Sequence, residues 1–182
     1  MKRYVRCVRR GNGSRGFAMM YVLLLVLAAG IAAAVLVPRC ASWYHAALVR
    51  YEADCLVSDL HLLQQLSRTA AVYPIEVPSD LSLARAAPRL VFENDKNAYC
   101  IARLGKSAGG APQRQKFLYH RHSPAIIITT KERREEIFFE RNGETSSDYT
   151  TIEVYHEKEP EKQKLVIIDS VGRIRVVDAN GR

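Results

Sequence analysis

Residues 17–37 read FAMMYVLLLVLAAGIAAAVLV, a run of 21 without a charged side chain. As a helix, at about 1.5 Å per residue, it spans about 31 Å, the thickness of a bilayer's hydrocarbon core. Lipid offers a backbone amide no partner. A run this long and apolar is therefore expected to close its own hydrogen bonds as a membrane-spanning helix. The residues on either side decide how such a helix is used.

The N-terminal flank is basic. Lys2, Arg3, Arg6, Arg9, Arg10 and Arg15 stand in the first 16 residues with no acid among them. The chain has 182 residues and a net charge of +8, from 27 basic and 19 acidic side chains. Without those six the balance is 21 to 19, or +2, so the basicity belongs to the flank of the apolar run. Positive flanks stay cytoplasmic. The expected topology is a single pass through the cytoplasmic (inner) membrane, N-terminus cytoplasmic, with the body periplasmic or extracellular. A nucleic-acid partner inferred from the high pI loses most of its support.

On the far side, Pro38 and Arg39 mark the membrane edge, with Trp43 and Tyr44 as interfacial aromatics. Residues 42–73 then follow a helical period. Tyr44, Leu48, Tyr51, Cys55, Leu62, Leu66 and Tyr73 fall along one line, with Arg50, His61, Gln64 and Arg68 opposite and Asp59 as a flaw on the apolar side. That line is the expected buried face. Pro74 and Pro78 end the helix, and residues 74–89 form an irregular connection.

Beyond it the pattern becomes strand-like. Short runs rich in Ile, Val, Phe, Tyr and Thr occupy 89–93, 98–104, 116–121, 125–131, 135–141, 150–156, 164–169 and 173–178, separated by turn residues. Asn142-Gly143 and the segment from Asp169 to Gly172 are turn signals. The expected organisation is four segments: 1–16, a basic leader; 17–37, the membrane helix; 38–73, its amphipathic continuation; 74–182, a β-rich domain. The fold class is α+β, a long helix followed by antiparallel β.

Chemistry-bearing residues are sparse. His120 and His122 share one face of an expected strand, but no third ligand is spaced to join them, and they read as surface histidines. Glu132, Glu135 and Glu136 lie in the mixed stretch KERREE, a solvated turn. Ser58 and Ser170 lack the context of a catalytic nucleophile. The expectation is no catalysis, no metal and no cofactor. Of the four cysteines, Cys7 lies on the cytoplasmic side and Cys40 just past the membrane. Cys55 and Cys100 lie in the body, where an oxidising compartment permits a bridge. Two readings stand for that pair: a disulfide, or two buried free thiols.

A basic leader, then Gly16, then Phe17, then about twenty apolar residues running into an amphipathic helix: this resembles the leader of type IV prepilins. The resemblance implies a prepilin peptidase that cuts between Gly16 and Phe17 on the cytoplasmic face and methylates the new N-terminus at Phe17. The family usually has Glu as the fifth residue of the mature chain, and here Tyr21 stands there, which argues against a major-subunit role. Residues 137–176, IFFERNGETSSDYTTIEVYHEKEPEKQKLVIIDSVGRIRV, are similar to the H-type minor pseudopilins of type II secretion and to related minor pilins. Together these resemblances imply a pilin fold, a long N-terminal helix laid on an antiparallel β-sheet or sandwich. They also imply a structural subunit of a secretion, pilus or DNA-uptake filament. Its partners would be other pilin or pseudopilin subunits, the peptidase, an inner-membrane assembly platform with its ATPase, and membrane lipid. The rival reading is a generic single-pass anchored binding domain with no processing. A third, nucleic-acid binding, rests on Arg and Lys scattered through residues 103–134.

Overall fold

The computed structural model of the chain describes residues 14–69, 87–106, 112–132, 134–145 and 149–179. Most of the expected leader with Cys7, the last four residues of the expected helix, the prolines at 74 and 78, and 107–111 lie outside them.

One helix, α1, runs Ser14–Thr69, with Pro38 inside it. The chain divides into two compact units, Met1–Trp43 and Tyr44–Arg182. In the first, residues 17–41 are exposed on every side. The helix is long and apolar enough to cross a membrane, with an 18-residue window of mean hydropathy 2.8. At its far end Thr69 Oγ1 donates back to the carbonyls of Gln65 and Leu66, and Arg68 places a cation where the helix dipole favours one.

Among the described residues of the second unit, the rest of α1 meets eight strands. These are β1 (Arg89–Glu93), β2 (Ala98–Lys106), β3 (Pro112–Arg121), β4 (Ile126–Thr130), β5 (Glu136–Phe138), β6 (Tyr149–His156), β7 (Glu159–Asp169) and β8 (Ile174–Asp178). They form two four-stranded antiparallel sheets, ordered β3-β2-β1-β5 and β4-β6-β7-β8. All eight expected strand runs are present. β3 and β7 start earlier than expected, at the polar stretches PQRQ and EPEK. The β1–β2 turn passes through Asn97 at φ 48°, a left-handed position that Asn tolerates better than most residues.

An apolar core joins the three layers. α1 contributes Val49, Ala53, Leu56, Leu60 and Leu63. The first sheet adds Leu90, Tyr99, Ile101 and Ile137, and the second Ile126, Ile128, Ile152, Val154, Val166 and Ile168. The inward positions of β4 and β6 alternate with half-buried ones, the period-2 pattern of strands in a sheet.

Gln64 ties two turns to the helix. Its Nε2 donates to the carbonyls of Gly143 (2.9 Å) and Gly172 (3.0 Å). Both glycines have positive φ, 86° and 76°, and a Cβ at Gly172 would overlap the Gly143 carbonyl. The two turns pack so closely that glycine is required at position 172.

Two substitution pairs test this packing by urea unfolding of the full chain in detergent. Leu56→Ala should cost about 2–5 kcal/mol, a core truncation. Leu62→Ala, on the face expected from sequence to be buried, should cost less than about 1 kcal/mol. Gln64→Ala should cost about 1–3 kcal/mol by orphaning two carbonyls. Gln64→Glu should cost more, because it sets a carboxylate against both of them.

Candidate functional site: the two faces of the helix

From Tyr44 onward α1 carries two apolar lines. The buried one is Val49, Ala53, Leu56, Leu60, Leu63 and Ser67, with steps of four and three. The line expected from sequence lies roughly 125° away around the helix, at 100° per residue. There Tyr44 is 66% exposed, Tyr51 61% and Leu62 38%, while Leu48, Cys55 and Leu66 are half-buried. The expected buried face is thus corrected: it is the outward face of the domain. The physical reason is the polar border of the buried line: His45, Glu52 and Asp59 each meet a partner fixed in a sheet, which sets the rotation of the helix. Tyr44 and Tyr51 lie outside. The Tyr51 hydroxyl's hydrogen bond to Cys55 raises that phenol's pKa.

Polar side chains border the buried line, three of them seven residues apart. His45 Nδ1 lies 3.3 Å from Glu159 Oε1, and its ring stacks on that of His156 at 3.9 Å between centroids. Glu52, 4% exposed, lies 2.9 Å from His120 Nε2 and accepts the Ser123 backbone N–H at 3.4 Å. Asp59 accepts the Tyr99 hydroxyl at 2.8 Å. Burial, and then the Asp59 carboxylate, hold the Tyr99 phenol far above its ordinary range. Tyr99 in turn stacks on His120 at 5.0 Å. Asp59, a flaw in the sequence pattern, is a buried phenol's partner.

The remaining candidate residues fall as follows. Gly16 lies within α1, and Phe17 and Tyr21 are 70% and 71% exposed in the first unit. His120 and His122 are not surface histidines. His120 faces Glu52, and His122 is buried with Nδ1 3.1 Å from the Ser123 carbonyl. Among the described residues no three His, Cys, Asp or Glu side chains form a group that could hold a metal. Glu132 and Glu135 are exposed, and Glu136 accepts from Arg89 (2.6 Å) and Arg114 (2.5 Å). Ser58 is exposed on α1, and Ser170 is exposed in the β7–β8 turn.

Cys40, Cys55 and Cys100 are free thiols. The Cys55–Cys100 bridge is not made, because the first sheet stands between the two. Ile101, next to Cys100, points into the core beneath the helix, while Cys100 clusters on the opposite face with Val91 and Ala102. Burial raises the Cys100 thiol's pKa. The basic residues considered for nucleic acid are partly engaged within the fold. Lys116 pairs with Glu93, Arg114 with Glu136, and Arg103 lies 5.3 Å over the Phe117 ring. Lys116 and then Lys96 hold the Glu93 carboxyl below its usual range.

The sequence matches no protein-family model and no curated protein. By structure the chain is similar to the minor pseudopilin EpsH of the Vibrio cholerae type 2 secretion system. The identity is 13%, over 73% of this chain and 98% of that one, at a TM-score of 0.51. It is also similar to the type IV minor pilin FimU of Pseudomonas aeruginosa PAO1. There the identity is 19%, over 70% of this chain and 90% of that one, at a TM-score of 0.46. What the EpsH likeness carries is the architecture: this chain has the pilin-like α+β fold, a long N-terminal helix packed against antiparallel sheets.

Proposed function

We propose that the chain is a minor pilin or pseudopilin, a structural, non-catalytic subunit of a type II secretion or type IV pilus-like filament. The observation that carries this reading is the second apolar line of α1. Tyr44, Tyr51 and Leu62 are exposed on a helix whose other face is already packed. An apolar helix face left open on a folded domain marks an interaction surface, and the fold is that of a subunit that presents such a helix.

The mechanism is mechanical. A prepilin peptidase removes residues 1–16 between Gly16 and Phe17, and Phe17 is N-methylated. The apolar helix keeps the subunit in the inner membrane, its N-terminus cytoplasmic and its body outside, until an assembly platform and ATPase draw it out. The open line then packs against neighbouring pilin or pseudopilin helices, exchanging lipid and water contacts for helix contacts. Tyr21 cannot supply the membrane-embedded carboxylate that such families usually have at that position. A subunit without it suits an initiating or tip position, where no such pairing is needed.

Mass spectrometry of the mature protein from its host tests the processing. A chain beginning at N-methylated Phe17 is expected. An intact Met1, or a cut beyond the apolar run, would support an anchored binding domain instead. Tyr51→Glu tests the surface: filament incorporation should be lost while stability changes by less than about 1 kcal/mol, since the site is exposed.

A further inference from the structure

The contact between α1 and the β6–β7 hairpin runs through two stacked imidazoles, and their hydrogen bonds fix their protonation. Lys158 donates its backbone N–H to His156 Nδ1 at 3.1 Å, so that nitrogen carries no proton. His156 is 4% exposed and is held neutral by this acceptor role. His45 Nδ1, 3.3 Å from the Glu159 carboxylate, is the donor of its own contact. Its ring lies 3.9 Å from that of His156 with 18° between the planes. A proton added to His45 finds Glu159, which Lys162 shares at 2.9 Å. A second proton, on His156, would break the Lys158 bond and set two imidazolium rings face to face.

We propose that His45 and His156 form a proton-operated latch that holds α1 against the second sheet when at most one ring is charged and releases it when both are. Several other charges face the pair. From the hairpin come Glu157 and Glu159, which favour protonation of His156, and Lys158, which opposes it. From α1, Tyr44 sits edge-on to His45 at 6.2 Å. Burial and His45 outweigh the two carboxylates and hold His156 below the ordinary imidazole range. The sign follows. The open state takes up protons more readily than the closed one. The contribution of the latch is complete above the free-imidazole value of about 6.5 and is lost as pH falls through the depressed one.

The link to the first sheet is a different contact: His120 Nε2 lies 2.9 Å from the buried carboxylate of Glu52. On this proposal acid frees the helix from the second sheet. This inference rests on the globular unit alone, not on the filament reading.

Hydrogen–deuterium exchange of the full chain in detergent micelles tests it, at about pH 7.5 and about pH 5, after correction for intrinsic exchange. Peptides covering residues 44–50 and 155–160 should exchange about tenfold faster at the lower pH. Peptides from 56–66 should not change. His45→Gln should abolish most of the acid increase. The idea is overturned by no local increase, by a uniform increase across the domain, or by an increase that survives in His45→Gln. NMR of the histidine Cε1–H groups gives a second readout. His156 should titrate below the ordinary imidazole range, and an ordinary titration of His156 would also overturn the latch.

Discussion

The fold hangs on one line of side chains along α1. The two sheets share no strand among the described residues, so no hydrogen-bonded ladder joins them. What unites them is a core whose helical side is Val49, Ala53, Leu56, Leu60 and Leu63. Steps of four and three keep those five on one narrow stripe, so a single helix can seal both sheets without exposing either inner face. Ser67 continues the line as a small buried residue near the Gly143 and Gly172 turns, where Gln64 reaches across.

A helix that is apolar on two sides needs something to choose its rotation. Hydrophobic burial alone is non-directional and would reward either stripe. The choice falls to His45, Glu52 and Asp59, each meeting a partner fixed in a sheet. Rotating the helix to bury Tyr51 and Leu62 would strand the Tyr99 hydroxyl in an apolar core and leave His120 without Glu52. Burying polar groups without partners costs about 1–3 kcal/mol each. Three such contacts outweigh the modest gain from covering half-exposed leucines and tyrosines. The polar border therefore sets the register, while the apolar line supplies most of the adhesion.

This division explains what could be read from the sequence. The strands were legible because a sheet buried on one face writes its period into the chain. β1 has the bounds its residues predict, and β6 differs by one residue. The apolar run 17–37 and the helical period after it were equally plain. The inward face of the helix was not. Summed hydrophobicity gives weight to Tyr44 and Tyr51, which are outside, and none to the sheet partners of His45, Glu52 and Asp59 that set the rotation. Asp59 looked like an error because its partner, Tyr99, lies 40 residues on. His120 looked like a surface residue for the same reason: Glu52 is 68 positions away. Spacing within one element reveals periodicity, but pairing between elements is a property of the folded topology. The heptad of 45, 52 and 59 was visible all along as three polar residues at one spacing, and could have marked the edge of the buried stripe.

The outward line has the same geometry as the inward one. Tyr44, Leu48, Tyr51 and Cys55 step by four, three and four, and Leu62 and Leu66 continue the series. From 44 to 66 the mean spacing is about 3.7 residues, an eleven-residue repeat that drifts slowly around a 3.6-residue helix and favours a slight right-handed crossing of neighbours. On the proposed reading, α1 is thus written twice in the same period. One line fixes it to its own domain, and the other offers a seam to the helices of other subunits. Tyr44, Tyr51 and Leu62 stand clear of the core and can vary with little effect on it, whereas Leu48 and Leu66, half-buried against the core, belong to both lines. Tyrosine suits that exposed line. It carries a large apolar ring for a future contact and a hydroxyl that water satisfies until the contact forms.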